Sequence, residues 1–229
     1  MDNKLSKLIN NNSYKFNDWT QIINEHNFIF NPDKDLKQKE QIELTHKTSN
    51  VLVQISDLFF KYGSFKDTFD NSKMFLHVYG PNLIIKSNKT NNQFNLGIDN
   101  KGIYLETYMR FAENLRYMPD SFYKAIFTLM ELGNFELQEN QFYGKETTNK
   151  YNQLFNNQKS KLFKLFRNYI VGVAEGESDI ILGDFHIHWT YDKNFYNIIS
   201  NSCLAFKILY KLNYSLWKIN DLKTKKKKI

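Results

Sequence analysis

The chain has 229 residues, of which 41% are hydrophobic and 16% aromatic, enough apolar material for the core of a folded domain. A single cysteine, Cys203, excludes an internal disulfide framework and a thiolate zinc cluster, and is typical of a reducing compartment. Five of the 31 basic residues lie in the last seven positions, so the net charge of +7 falls to +2 for residues 1–222.

The first residues, 1–13, are polar and no long apolar run follows them. The pattern therefore predicts neither a secretory signal nor a transmembrane helix, and favours a soluble, cytoplasmic protein. We expect one globular domain over residues 1–222. A run of like charges at a terminus is usually solvated, which predicts a disordered basic tail over residues 223–229.

Two helices are predicted in the first part of the chain. Asp18 can cap a short helix over residues 18–23, and Asn31-Pro32-Asp33 indicates a break. A longer helix follows over residues 36–62, because apolar residues recur at spacings of three and four, and Gly63 is in the position of a C-cap. The predicted apolar face comprises Val51, Leu52, Ile55, Leu58, Phe59 and Tyr62.

Residues 73–109 change to a period of two, which is typical of strands. Four strands are predicted, over residues 74–79, 83–87, 93–98 and 103–109. Turn-forming residues separate them, and connections this short imply an antiparallel meander. Within the third strand Phe94, Leu96 and Ile98 share one face, which we expect to be its buried face.

The rest of the chain predicts a helix after Pro119, a long helix over residues 147–171, a strand over 179–191 and a helix over 193–218. Phe163 and Phe166 belong to the predicted apolar stripe of the long helix. The predicted fold is α+β: an antiparallel meander of four to five strands packed with three to four amphipathic helices. The strand over 179–191 is expected as a fifth member of the sheet or as a separate edge.

The sharpest local pattern is Asp184-Phe185-His186-Ile187-His188, because alternation along a strand places its first, third and fifth residues on one face. Carboxylate and imidazole groups in this arrangement can hold a divalent metal such as zinc or manganese. Asp184, His186 and His188 are therefore candidate metal ligands. The alternative is an amphipathic strand whose polar face meets solvent and which binds no cofactor.

These five residues resemble the D-x-H-x-H motif that opens the metal site of PHP-type phosphoesterases and related amidohydrolases. The resemblance implies a metal-dependent phosphoesterase or nuclease. In those families later strands supply further His and Asp ligands, whereas here a predicted helix and tail follow, and the other histidines precede the motif. The chain is not assigned to the family on this pattern.

A second pattern has the spacing of nuclease carboxylates. Asp99 and Glu106 flank a predicted hairpin turn, as do the Asp and Glu-x-Lys that hold magnesium in many nucleases. The lysine of that motif is absent, because Tyr108 occupies its position. Chance pairs of this kind are expected in a chain with 24 acidic residues.

Basic residues of the long helix form a third candidate site: Lys159, Lys161, Lys164 and Arg167. Beside apolar residues, such a stripe can bind phosphate backbones or an acidic membrane surface, or it can be the solvated side of a core helix. Because residues 1–222 are nearly neutral, a local positive excess favours a specific partner over general binding to nucleic acid.

Three functions are open on these observations. The first is a non-catalytic interaction protein of a bacterium or phage that binds another protein through one face. The second is a metal-dependent phosphoesterase or nuclease that uses Asp184, His186 and His188. The third is a nucleic-acid-associated protein that uses the basic helix around Lys161 together with the lysine tail. Neither the partner nor the oligomeric state follows from the sequence.

Overall fold

A computed structural model describes residues 3–29, 38–77, 80–99, 101–138, 159–176, 182, 184–191 and 193–226 of the chain. Within these ranges no helix is both long enough and apolar enough to span a membrane. The predicted strand residues 78–79, the first half of the predicted helix over 147–171, and residues 227–229 of the predicted tail lie outside the described residues.

The described residues form six α-helices and six strands. The helices are α1 (Asn3–Asn10), α2 (Phe16–Ile29), α3 (Gln38–Gly63), α4 (Asp120–Leu132), α5 (Lys159–Ala174) and α6 (Phe195–Lys226). The strands are β1 (Phe69–His77), β2 (Gly80–Ser87), β3 (Gln93–Ile98), β4 (Gly102–Tyr108), β5 (Asn134–Gln138) and β6 (Asp184–Thr190). Short 3₁₀ segments cover Ser13–Lys15 and Ala112–Tyr117. The predicted α+β class is confirmed.

The six strands form one antiparallel sheet in the order β1-β2-β3-β4-β6-β5. The predicted meander of β1 to β4 is confirmed. Strand β6 lies between β4 and β5, so it is an interior strand, and β5 was not predicted. Both histidines of the Asp184 motif therefore have strands on either side, which an edge position would not provide.

The chain divides into two compact units. The first consists of Met1–Leu105 and His188–Lys207, and the second of Glu106–Ile187 and Ile208–Ile229. The boundaries fall inside β4, β6 and α6, so each of these elements contributes residues to both units. The expectation of one domain over residues 1–222 stays a prediction.

In the first unit, α3 packs against β1, β2 and β3. All six predicted apolar residues of its face are buried, as are Phe94, Leu96 and Ile98 of β3. Phe206 of α6 completes this core, because its ring centroid lies 4.9 Å from the ring centroids of Phe59 and Phe94. Apolar periodicity alone therefore located the core of this unit.

The end of α3 differs from the prediction. Gly63 is the last helical residue, and the left-handed position is taken by Ser64, whose φ is 48°. Gly63 serves another purpose, because a Cβ at this position would collide with the ring of Phe65. The glycine therefore allows close packing after the helix instead of forming its left-handed C-cap.

In the second unit, the ring of Phe185 on β6 lies 5.5 Å from that of Phe135 on β5 and 5.9 Å from that of Phe166 on α5. All three side chains are buried. Edge-to-face contacts of this kind contribute about 0.5–1.5 kcal/mol beyond their buried area. Aromatic residues thus fix β5, β6 and α5 together.

The C-terminal helix α6 extends to Lys226, so residues 223–226 are helical although they were predicted as disordered tail. Lys223 Nζ donates a hydrogen bond to Asn114 Oδ1 at 2.6 Å and lies 4.4 Å from the ring centroid of Tyr117. Lys225 Nζ lies 2.7 Å from Asp221 within the same helix. The helix continues because neither proline nor glycine interrupts it and because Lys223 contacts Asn114 and Tyr117.

Candidate functional site

The predicted metal-binding residues occupy β6, as expected, but their face is not solvated. His186 and His188 are both buried, and Asp184 is half-buried. The alternative interpretation, an amphipathic strand whose polar face meets solvent, is therefore wrong for His186 and His188. Buried imidazoles need hydrogen-bond partners, and each of these two has a carboxylate nearby.

In the first unit, His188 Nε2 lies 3.3 Å from Asp99 Oδ1. The same oxygen accepts hydrogen bonds from the N–H groups of Lys101, at 2.8 Å, and Gly102, at 2.9 Å. Tyr191 Oη donates a hydrogen bond to the carbonyl of Asp99 at 2.7 Å. Asp99 therefore joins the turn between β3 and β4 to the end of β6.

The protonation of this cluster follows from its contacts. Burial by itself would raise the pKa of Asp99, but the hydrogen bonds from His188 and the two backbone N–H groups outweigh it and hold the pKa below its ordinary value. Burial, with the Asp99 charge, raises the pKa of the Tyr191 phenol. Asp99 is thus a carboxylate at neutral pH, with its charge directed at protein donors.

In the second unit, His186 Nδ1 lies 3.4 Å from Glu106 Oε2. Glu106 is on β4, and its side chain is 22% exposed. The two carboxylates that have nuclease-like spacing in the sequence, Asp99 and Glu106, are thus each matched with a histidine of β6.

Metal ligands need to converge on one point. Among the described residues no group of three or more His, Cys, Asp or Glu side chains is arranged to hold a metal ion. The single thiol is also unsuited, because Cys203 is fully buried and burial raises the pKa of its thiol. The histidine and carboxylate pairs are contacts between β6 and its neighbours, and metal binding by Asp184, His186 and His188 stays a prediction.

The predicted basic site lies on α5. Of its four residues, the structure describes the side chain of Arg167, which is exposed; those of Lys159, Lys161 and Lys164 lie outside the described side chains. The 16 residues of α5 include four basic and no acidic residues. The helix is therefore a local positive region within residues 1–222, which are nearly neutral.

Helix α5 also exposes apolar side chains, which sequence reasoning missed. Phe163 was assigned to the buried stripe but is 53% exposed, and Val171 is 47% exposed. Because Phe163, Arg167 and Val171 are spaced four residues apart, they lie on one face of the helix. Phe166, on the other side, is buried as predicted, and Tyr169 is buried as well. We call Phe163, Arg167 and Val171 the α5 stripe.

Comparison with protein-family models, with curated proteins and with solved structures finds no match to this chain.

Proposed function

We propose that this chain is a non-catalytic interaction protein and that it binds an acidic, partly apolar surface of another protein through the α5 stripe. The observation that carries the proposal is the alignment of two exposed apolar side chains, Phe163 and Val171, on either side of exposed Arg167. Single exposed apolar residues are common on protein surfaces, and it is their alignment on one helix, beside a basic residue, that supports a binding face.

The charge of α5 indicates the chemistry of the partner. A helix with four basic and no acidic residues attracts a negatively charged surface and raises the association rate with it. Phe163 and Val171 would supply the apolar centre, and arginine is among the residues enriched at such interfaces. The helix would therefore lie against the partner by its exposed face.

A protein surface fits this face better than nucleic acid does. Nucleic-acid affinity depends on cations that contact phosphates. The bulky apolar side chains beside Arg167 make neither ion pairs nor hydrogen bonds with phosphates. Two lysines of the predicted tail also have partners within the chain, because Lys223 contacts Asn114 and Lys225 contacts Asp221. Among the described residues, the predicted tail therefore forms less of a cationic surface than the sequence indicates.

The test is co-purification from the native host with matched variants. Phe163→Asp/Val171→Asp introduces charge into the α5 stripe, and Ile42→Asp changes an equally exposed residue, at 53%, on α3. We expect wild-type protein and Ile42→Asp to retain the same partner and the double variant to lose it. The proposal is wrong if all three proteins recover the same set, or if nuclease treatment releases everything that is bound.

A further inference from the structure

Strand β1 is at the end of the sheet, with β2 on one side and no strand among the described residues on the other. Leu76 is paired with Pro81 of β2, which has no N–H to donate. This pair is therefore a non-hydrogen-bonded pair of the ladder, and the main-chain groups of Leu76 and Met74 point away from β2. Within the part of the chain that the structure describes, they form an open edge.

The usual protection of an open edge is confined to one end of β1. A bulge interrupts the register between Asp70 and Lys73, but residues 73–77 pair regularly with β2. This regular segment contains no proline, and Lys73 is its one Lys, Arg, Asp or Glu residue. It therefore lacks most of the features by which proteins prevent pairing at sheet edges.

The side chains of the same segment are apolar and exposed. Phe75 is 58% exposed and Leu76 is 68% exposed, and as neighbours in a strand they lie on opposite faces of the sheet. Met74 shares the face of Leu76 and is half-buried. An added strand would cover apolar surface on both faces at once.

We propose that β1 pairs antiparallel with β1 of a second copy of this chain. A twofold axis perpendicular to the sheet keeps each face continuous, so residues of one face must oppose residues of the same face. When this axis passes through the position of Phe75, the Phe75 side chains of the two copies lie opposite each other on one face. On the other face Met74 opposes Leu76 of the second copy, once on each side of the axis.

This self-complementarity identifies the occupant as a second copy. The register matches every exposed apolar residue of the segment with another apolar residue, and both Met74 and Leu76 direct their main-chain groups to the shared edge. The two Lys73 side chains lie on one face but four positions from each other along the strand, about 13 Å apart, so they do not repel closely.

The pairing is small. Five residues of strand span about 17 Å, and the interface lies below the ~1,200 Å² of a standard stable complex. We therefore expect a reversible dimer with a dissociation constant of about 1–100 µM. Most of its binding energy should come from the aromatic and aliphatic pairs. The edge of β1 and the α5 stripe have no residue in common, so either proposal can fail alone.

Cross-linking of the full chain tests the register. In Phe75→Cys the two thiols face each other across a non-hydrogen-bonded pair, with Cα atoms about 4.5 Å apart, within disulfide reach. In the control Lys73→Cys they are about 13 Å apart, beyond it. The native Cys203 is fully buried and does not compete. Diamide serves as oxidant, because it accepts the two electrons and two protons that the thiols lose.

We expect Phe75→Cys to form a disulfide-linked dimer at least ten times faster than Lys73→Cys. Equal rates for the two variants, or no cross-link from Phe75→Cys, would overturn the proposal. Sedimentation equilibrium gives a second test without new cysteines. The weight-average mass of wild-type protein is expected to rise with concentration and that of Leu76→Asp to stay at the monomer mass; a wild-type mass constant to about 200 µM would also overturn it.

Discussion

Protonation of a single buried histidine is expected to control the stability of the first unit in mild acid. His26 on α2 is 1% exposed, and burial lowers its pKa from 6.5 to about 4. Between these pH values the unfolded chain binds a proton at this site and the folded chain does not. Stability from this group is thus fully present above pH 6.5 and is lost as the pH falls towards 4.

The size of the effect follows from the difference in pKa. One pKa unit corresponds to about 1.4 kcal/mol, so His26 accounts for a loss of about 3 kcal/mol between pH 7.5 and 4. This is a large part of the ~5–15 kcal/mol by which a domain is stable. The site is tight, because the ring also contacts Gly80, where a Cβ would lie 2.8 Å from His26 Cε1.

The assay is urea unfolding at intervals from pH 7.5 to 4, comparing wild type with His26→Gln, which does not titrate but can form hydrogen bonds. The free energy of unfolding of the variant is expected to fall by about 3 kcal/mol less than that of wild type across this range. His46→Gln, at an exposed position of α3, is the control and should follow wild type. Parallel profiles for wild type and His26→Gln would refute the reasoning.

Three further predictions concern the contacts of β6 and α6. Asp99→Asn is expected to cost about 1–2 kcal/mol at pH 7 by urea unfolding, and this difference should vanish as the pH falls through the depressed pKa of Asp99, because that stability requires the carboxylate. Zinc or manganese at equimolar concentration should leave the unfolding temperature unchanged; stoichiometric binding abolished by His186→Ala/His188→Ala would show the metal interpretation to be correct. Lys223→Ala is expected to cost about 1–3 kcal/mol because a buried acceptor loses its donor, while Lys226→Ala, at an exposed position, should be neutral.

Local patterns predicted most of the fold. The buried face of α3 and the alternation of β3 follow from apolar residues repeating at fixed spacings, which the structure preserves. The prediction was poorer where polar residues interrupt the pattern. Strand β1 begins at Phe69, five residues before the predicted start, because its first half contains the bulge between Asp70 and Lys73.

The candidate sites were less predictable, because their partners are distant in the chain. His186 and Glu106 are 80 residues apart, and His188 and Asp99 are 89 residues apart. The sequence patterns indicate each of these four residues separately, but only the position of β6 beside β4 joins them into pairs. The exposure of Phe163 was missed for a similar reason: which side of a helix is buried depends on what packs against it.

The measurement that tests the proposed function most directly is the dissociation constant of the recovered partner, compared among three forms of the chain. Burial of a large apolar side chain contributes about 1.5–3 kcal/mol, so Phe163→Asp/Val171→Asp should bind at least ten times more weakly than wild type. Ile42→Asp, with the same exposure as Phe163, should bind within about twofold of wild type. Equal dissociation constants for wild type and the double variant would contradict a binding face on α5.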